Sequence, residues 1–382
     1  KVSWESTGLP LLIMVDQEGG AVTRIKTRPN APSALALGKT QTPEVSRRAG
    51  FLIGEILALL GFNMNLAPVL DLSHPLAANF IGSRSFGHDP VRVKYMGHAF
   101  AKGLIQRGVI PTAKHFPGHG RISEDSHHSL PIRREALTEL KRQDLLPFQS
   151  FAMASRVSAV MVAHLAFPKI DPSGLPAAFS RRIVTDLLRD QMGYNGLVLT
   201  DDIEMVGADA AGAIGERAVK AIEAGCDMVM VAWRESLQEQ AIQAVLDAVN
   251  TNRITENRIN DSLHRILLHK VFAHQRASRH HHAEKALSSK MSHLTQRLKS
   301  FTKQVTKISF LQSLKNHRHL RGAFSPQTKV TVFSADRKFF DSVSKKMQRS
   351  SYFVSLSPKR PNRIQENLIK NQSDLGIYYT TG

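Results

Sequence analysis

The stretch KHFPGHGRISEDSHH, residues 114 to 128, holds four histidines, a lysine, an aspartate and two glycines with no apolar period. Asp125 and His127 are two apart. In extended backbone residues i and i+2 share a face, so the carboxylate can hold the imidazole by a hydrogen bond, fix its tautomer and raise its pKa. Gly118 and Gly120 free the backbone and Pro117 fixes it locally, which lets the segment bend. A polar surface loop with idle histidines is the plain alternative. A second candidate is TDDIEM, residues 200–205, where Asp201 and Asp202 follow the buried run GLVL. Neighbouring strand residues point opposite ways, so one of the two carboxylates acts and the other supports. A strand-end carboxylate is suited to nucleophilic attack on an electrophilic carbon, to metal ligation, or to capping the next helix.

Something must carry these residues. Six apolar runs, 9–20, 62–72, 108–118, 157–167, 196–205 and 226–233, alternate with segments whose apolar residues recur every three to four positions. That is a βα repeat, and runs with little alternation suit a parallel sheet buried on both faces. Polar residues collect at the ends of the runs: Asp16 and Glu18, Asp71, Lys114 and His115, His164, Asp201 and Asp202, then Trp233. A (β/α)8 barrel keeps its active site at that end of its strands. No G-x-G-x-x-G follows a strand, which weighs against a nucleotide-binding open sheet. Six strands leave a barrel two short, and the missing pair is expected upstream of Lys1; a six-stranded sheet is the competing architecture.

The chain has 382 residues and a formal net charge of +19. The charge is uneven: residues 271–382 carry 21 lysines and arginines against 5 acids, whereas residues 1–270 carry 30 against 27. The basic character therefore belongs to the tail, and nucleic acid is not expected as a partner of the body. No apolar run reaches the roughly 18 residues of a membrane span, and the single cysteine excludes a disulfide framework. Three units are expected: a catalytic barrel at 1–272, a basic His-rich linker or helical segment at 273–325, and a partial α/β extension at 326–382 that starts a second domain. The run RHHHAEK at 279–285 lacks the spacing of metal ligands and reads as solvated linker.

KHFPGHG followed by four residues and DSH resembles the signature of bacterial β-N-acetylhexosaminidases of glycoside hydrolase family 3. The similarity runs on through VDQEGG, LAPVLDL, IGSRSFGHDP, MVAHLAF, TDDIEM and AGCDM, over roughly residues 10–270. It implies a TIM barrel and a retaining mechanism on a terminal N-acetylglucosamine. Asp201 would be the nucleophile, His127 the general acid/base and Asp125 its partner. A histidine starts near pKa 6.5, so it donates a proton near neutral pH without the desolvation a carboxylic acid needs. Asp16, Arg24, Arg84, Lys114, His115 and His164 would bind the sugar, although Arg84 also reads as a surface ion-pair residue and His164 as a core histidine. The implied role is an exo-β-N-acetylglucosaminidase acting as a cytoplasmic monomer on muropeptides in cell-wall recycling, with no metal or cofactor. Periplasmic or secreted action is the alternative address.

Two departures from the family pattern stand out: Ala21 where arginine is common, and TDDIEM where Ser-Asp-Asp-Leu-Ser-Met is usual. Three other readings are carried alongside: a family 3 β-glucosidase or xylosidase, a metal-dependent barrel hydrolase with His115, His119, Asp125 and His127 as ligands, and an inactive wall-binding protein whose tail makes salt-sensitive contacts.

Overall fold

The structure is a computed structural model that describes residues 8–73, 81–120, 122, 129–154, 157–277 and 284–316, with three further strands at 329–333, 353–357 and 376–378. Its centre is a six-stranded, all-parallel sheet of β1 (Met14–Val15), β4 (Met64–Asn65), β5 (Ile110–Phe116), β6 (Ala159–Val162), β7 (Leu197–Asp202) and β8 (Met228–Met230), paired in that order. Each strand pairs with its successor, so the order never reverses. Right-handed crossovers that always step the same way put the connecting helices on one face, and a sheet so covered curls into a half-barrel rather than an open doubly wound layer. Six strands of this sheet are seen among the described residues, one for each apolar run, and they form a half-barrel rather than a closed barrel. The terminal strands β1 and β8 are half-buried where β5 and β6 are buried throughout, as edges of an open sheet should be.

The first apolar run, 9–20, is not one strand. After Val15 the chain turns into an antiparallel hairpin of β2 (Gln17–Gly19) and β3 (Val22–Thr23). Gln17 holds it: its Oε1 accepts from the backbone N–H of Arg24 and Ile25, and its Nε2 donates to the Ile25 carbonyl. The hairpin turns Asp16 and Glu18 toward the mouth of the sheet.

Period-two alternation divides the strand residues between two apolar layers. Met64, Ile110, Ala159, Met161, Leu197 and Leu199 form an inner cluster. Val160, Val162 and Val198 face outward onto the helices. Among these are α1 (Ala34–Thr40), α2 (Pro43–Leu59) and α3 (Pro90–Gln106). Asp89 caps α3 ahead of Pro90, its side chain accepting from the Val91 N–H at 3.0 Å. The helices α4 (Leu137–Arg142) and α5 (Leu145–Ala154) follow β5, and a π-helix over Arg182–Gln191 buries Ile183, Val184, Leu187 and Leu188 before β7.

The N-terminal ends of the strands carry a separate buried ionic cluster. Asp227, just before β8, accepts from Arg189 at 2.7 Å, from Ser262 at 2.8 Å and from the Val198 N–H at 2.9 Å. Helices α6 (Ile214–Ala224) and α7 (Glu235–Asn250) lead into α8 (Glu256–Ala277). From α8, Ile266 and Phe272 pack on the inner cluster, and His269 Nε2 lies 3.0 Å from the Ser158 carbonyl. At this end of a barrel, buried polar groups hold the fold together.

Residues 284–316, expected as linker or helix, form α9 (Glu284–Asn316), a helix of 33 residues against α1 and α2. Leu294, Leu298, Phe301 and Val305 are buried at helical spacing. Arg297 pairs with Glu55 at 2.9 Å, and Arg48 lies over the Phe301 ring. Past it, β9 (Lys329–Phe333) pairs in parallel with β10 (Phe353–Ser357) and β11 (Gly376–Tyr378). The rest of the α/β extension expected over 326–382 and the histidine run at 280–282 lie outside the described residues. No described helix is long and apolar enough to cross a membrane.

Burial of α9 is testable. Leu298→Ala, which removes a side chain 1% exposed, should lower the unfolding free energy by about 2–5 kcal/mol in urea titrations, whereas Lys299→Ala on the exposed side should change it by less than about 0.5 kcal/mol.

Candidate active site

Near the end of β5 lie Lys114 and His115, joined by a cis peptide bond. His115 is held by Asp71, which follows β4 and is itself buried. The Asp71 carboxylate lies 2.6 Å from His115 Nδ1 and accepts the backbone N–H of His115 at 3.2 Å and of His119 at 2.8 Å. Burial alone would raise the pKa of this carboxyl, but the His115 imidazole and the converging N–H groups hold it well below the usual carboxylate range. Asp71 thus ties the strand end to the root of the histidine-rich loop. The side chain of His115 then presents Nε2 on its far side, 3.5 Å from Arg84.

Lys114 lies at the centre of the second group. Its Nζ is 2.6 Å from Asp16 and 2.9 Å from Glu18. Arg84 grips the same Glu18 with two bonds, Nε to Oε2 at 2.9 Å and a terminal nitrogen to Oε1 at 2.8 Å. Burial raises the pKa of Glu18, but Lys114 and Arg84 outweigh it and pull the carboxyl down to about 2. Lys114 is likewise raised despite its burial, chiefly by Glu18 and then Asp16. Glu18 is 4% exposed and Lys114 3%, whereas the Asp16 side chain is 31% exposed. Asp16 is therefore the acid of this group that a ligand can reach, and Glu18 is the anchor behind it.

The third group belongs to β7. Asp201 is half-buried and Asp202 buried. Asp202 Oδ1 accepts from the Glu204 N–H at 3.1 Å and the Ala232 N–H at 3.3 Å, so this carboxylate clamps two strand ends. Burial pushes its pKa up. Asp201 differs: burial opposes its charge, but its neighbours His115 and His164, the Asp202 N–H that its Oδ1 accepts at 2.8 Å, and Lys114 hold its carboxyl below the ordinary value. His164 sits behind the pair, its Nε2 3.1 Å from the Asp202 carbonyl and its ring stacked on Phe179 at 5.4 Å. Its pKa is lowered, first by burial.

The root of the loop is fixed from below. Gly118 (φ +115°) and Gly120 (φ +58°) adopt left-handed backbone, and a Cβ at Gly120 would lie 2.3 Å from the Arg133 guanidinium carbon. Arg133 donates to the Gly118 carbonyl at 3.0 Å and pairs with Glu135 and Asp144. The catalytic candidates Asp125 and His127 lie outside the described residues.

Five sequence candidates, Asp16, Arg84, Lys114, His115 and Asp201, thus converge at one end of the sheet, with His164 behind them. Arg24 does not join them: its backbone N–H bonds Gln17, and its side chain is exposed. Glu18 and Asp71 appeared in the sequence as strand-end acids without a role, and their place behind cationic groups is what assigns them one. Arg133 left no local signal beyond the two glycines that make room for it. Among the described residues, no group of three or more histidines, cysteines, aspartates and glutamates is arranged to hold a metal.

Residues 1–268 match the family described as glycosyl hydrolase family 3 N terminal domain. The chain belongs to glycosyl hydrolase family 3. A β-hexosaminidase of Pseudomonas aeruginosa is 38% identical over 238 residues, 62% of this chain and 70% of that one. A family 3 β-N-acetylglucosaminidase structure from Paenibacillus sp. superposes with a TM-score of 0.73 at 30% identity, covering 97% of this chain and 71% of that one. CbsA from Thermotoga neapolitana gives a TM-score of 0.63 at 34% identity; that likeness takes in 70% of this chain but spans only 59% of CbsA. Family membership makes this chain a glycoside hydrolase with a half-barrel catalytic fold.

Glu18→Gln should destabilise the family 3 chain by about 3–5 kcal/mol at pH 7, because it leaves Lys114 and Arg84 short of a buried partner. The stabilisation Glu18 supplies is complete above its ordinary pKa of 4.5 and is lost as pH falls toward about 2. The stability gap between native chain and variant should therefore narrow across that window in urea titrations; a constant gap contradicts the anchoring role.

Proposed function

We propose that the chain is a retaining exo-β-N-acetylglucosaminidase that releases terminal β-linked N-acetylglucosamine from peptidoglycan-derived muropeptides. The observation that carries this is the division of labour at the end of β7: Asp202 Oδ1 accepts the N–H groups of Glu204 and Ala232 and so joins two strand ends, while half-buried Asp201 accepts the N–H of its neighbour Asp202 and has its carboxyl held below the ordinary value by His115, His164 and Lys114. A carboxylate that is ionised and accessible is what attack on an anomeric carbon needs.

In this mechanism Asp201 attacks the anomeric carbon as His127, oriented by Asp125, protonates the departing glycosidic oxygen. The resulting glycosyl-aspartate is then opened by water, from which the now neutral His127 removes a proton. Asp16 accepts from sugar hydroxyls, while Arg84, Lys114 and His115 donate to hydroxyls and to the N-acetyl carbonyl. His164 acts from behind, through the strand end that carries Asp201. The half-barrel is taken as part of a (β/α)8 barrel, and the enzyme works as a monomer in the cytoplasm without metal or cofactor.

Asp201→Ala should reduce kcat on an aryl N-acetylglucosaminide by about a thousandfold or more and His127→Ala by about a hundredfold; near-normal turnover in either variant overturns the roles. Turnover should survive exhaustive chelation, which a metal-dependent hydrolase would not. An aryl glucoside hydrolysed faster than the N-acetyl compound would instead make the chain a β-glucosidase.

A further inference from the structure

Trp233 is the most exposed large apolar side chain among the described residues, at 80%. Burial of an indole is strongly favoured, so an exposed one on a yielding loop would be expected to fold down. Here the backbone beneath it is fixed. Glu204 Oε1 accepts from the Trp233 N–H at 2.8 Å and from the Arg234 N–H at 3.1 Å, while Glu204 Oε2 accepts from Arg234 Nε at 2.8 Å. One residue earlier, the Ala232 N–H donates to Asp202. The segment after β8 is thus gripped by Asp202 and Glu204, two acids of the TDDIEM stretch that also carries Asp201. Glu204 stands where the family usually has serine, so a departure in the sequence and an exposed indole meet in one contact.

The place of Trp233 in the fold says what lies near it. Asp202 and Met230 are register partners on β7 and β8, and Trp233 lies three residues further out, at most about 10 Å beyond the strand end. The cationic and acidic groups that surround the reacting sugar lie deeper, at the ends of β5 and of the first hairpin. A pyranose ring in the β configuration presents axial C–H bonds on one face and hydroxyls at its edge, so its apolar face matches an aromatic plane. We propose that Trp233 is a stacking platform for the sugar on the leaving-group side of the scissile bond, held in place by Glu204. This rests on Asp201 as nucleophile, which sets the deep end of the cleft.

The kinetic arm compares N,N′-diacetylchitobiose with methyl β-N-acetylglucosaminide, whose leaving group is too small to stack. Trp233→Ala should raise KM for chitobiose about five- to tenfold and leave KM for the methyl glycoside within about twofold, and Trp233→Phe should restore chitobiose. Glu204→Ser should weaken chitobiose alone and add nothing in the Trp233→Ala background. Equal effects on both substrates, or none on chitobiose, overturn the platform. The binding arm is independent of turnover. The chain has two tryptophans, so Trp4→Phe leaves Trp233 as sole reporter, and in an Asp201→Ala background chitobiose should shift its emission saturably. Unchanged emission sinks the platform; a shift in a chain that hydrolyses neither substrate supports the platform and sinks only the catalytic reading.

Discussion

Charge taken out of water has to be matched, and the mouth of this half-barrel is organised by that constraint. Glu18, buried between the Lys114 ammonium and the Arg84 guanidinium, gives two cations a common partner. Without it both cations would lose their shared buried partner, and Lys114 would be left with the partly exposed Asp16, at a cost of several kcal/mol. Asp71 does the same for His115 and for the first turn of the loop beyond β5. With these two acids in place, Lys114, Arg84 and His115 keep fixed positions behind Asp16, which stays partly open to solvent, as preorganised binding requires.

Most of this architecture could be read in the sequence, because apolar runs and strand-end polarity are local signals. The six runs became the six strands, and Asp16, Lys114, His115 and Asp201 came together as their places at strand ends implied. The division between Asp201 and Asp202 followed from strand alternation, yet which of them clamps is decided by the N–H groups of residues 204 and 232, a contact no spacing encodes. The same holds for Glu18, whose partners are 66 and 96 positions away in the chain. The hairpin after Val15 was hidden because its strands are two or three residues long and carry no change in hydropathy; the Gly19–Gly20 pair, in left-handed backbone, makes its turn, and the Gln17 side chain braces it. Helix α9 was obscured by its composition, since polar and cationic residues dominate it and, among the described residues, its deeply buried side chains are Leu294, Leu298, Phe301 and Val305.

The two ends of the sheet use buried ions differently. At the N-terminal end Asp227 is surrounded by Arg189, Arg265 and Ser262 and has no exposed surface, so its charge is wholly absorbed in holding α8 against the strands. At the opposite end Asp16 and Asp201 keep part of their surface free. Similar chemistry therefore serves cohesion where it is sealed and recognition where it is left ajar. The short distances between these groups in both places leave little latitude for replacing an arginine by a lysine, which lacks the planar fork.

The uneven distribution of charge has one more consequence, for the response to ionic strength. The mouth gathers Asp16, Glu18, Asp71 and Asp201 around a single lysine and a single arginine, while the excess of cations lies beyond residue 270. Added salt screens exposed charges over about 10 Å at 0.1 M and buried pairs far less. Salt will thus damp the long-range field of the residues beyond 270 and leave the buried pairs at the mouth almost untouched, so the two parts of one polypeptide differ in their electrostatic response to the medium.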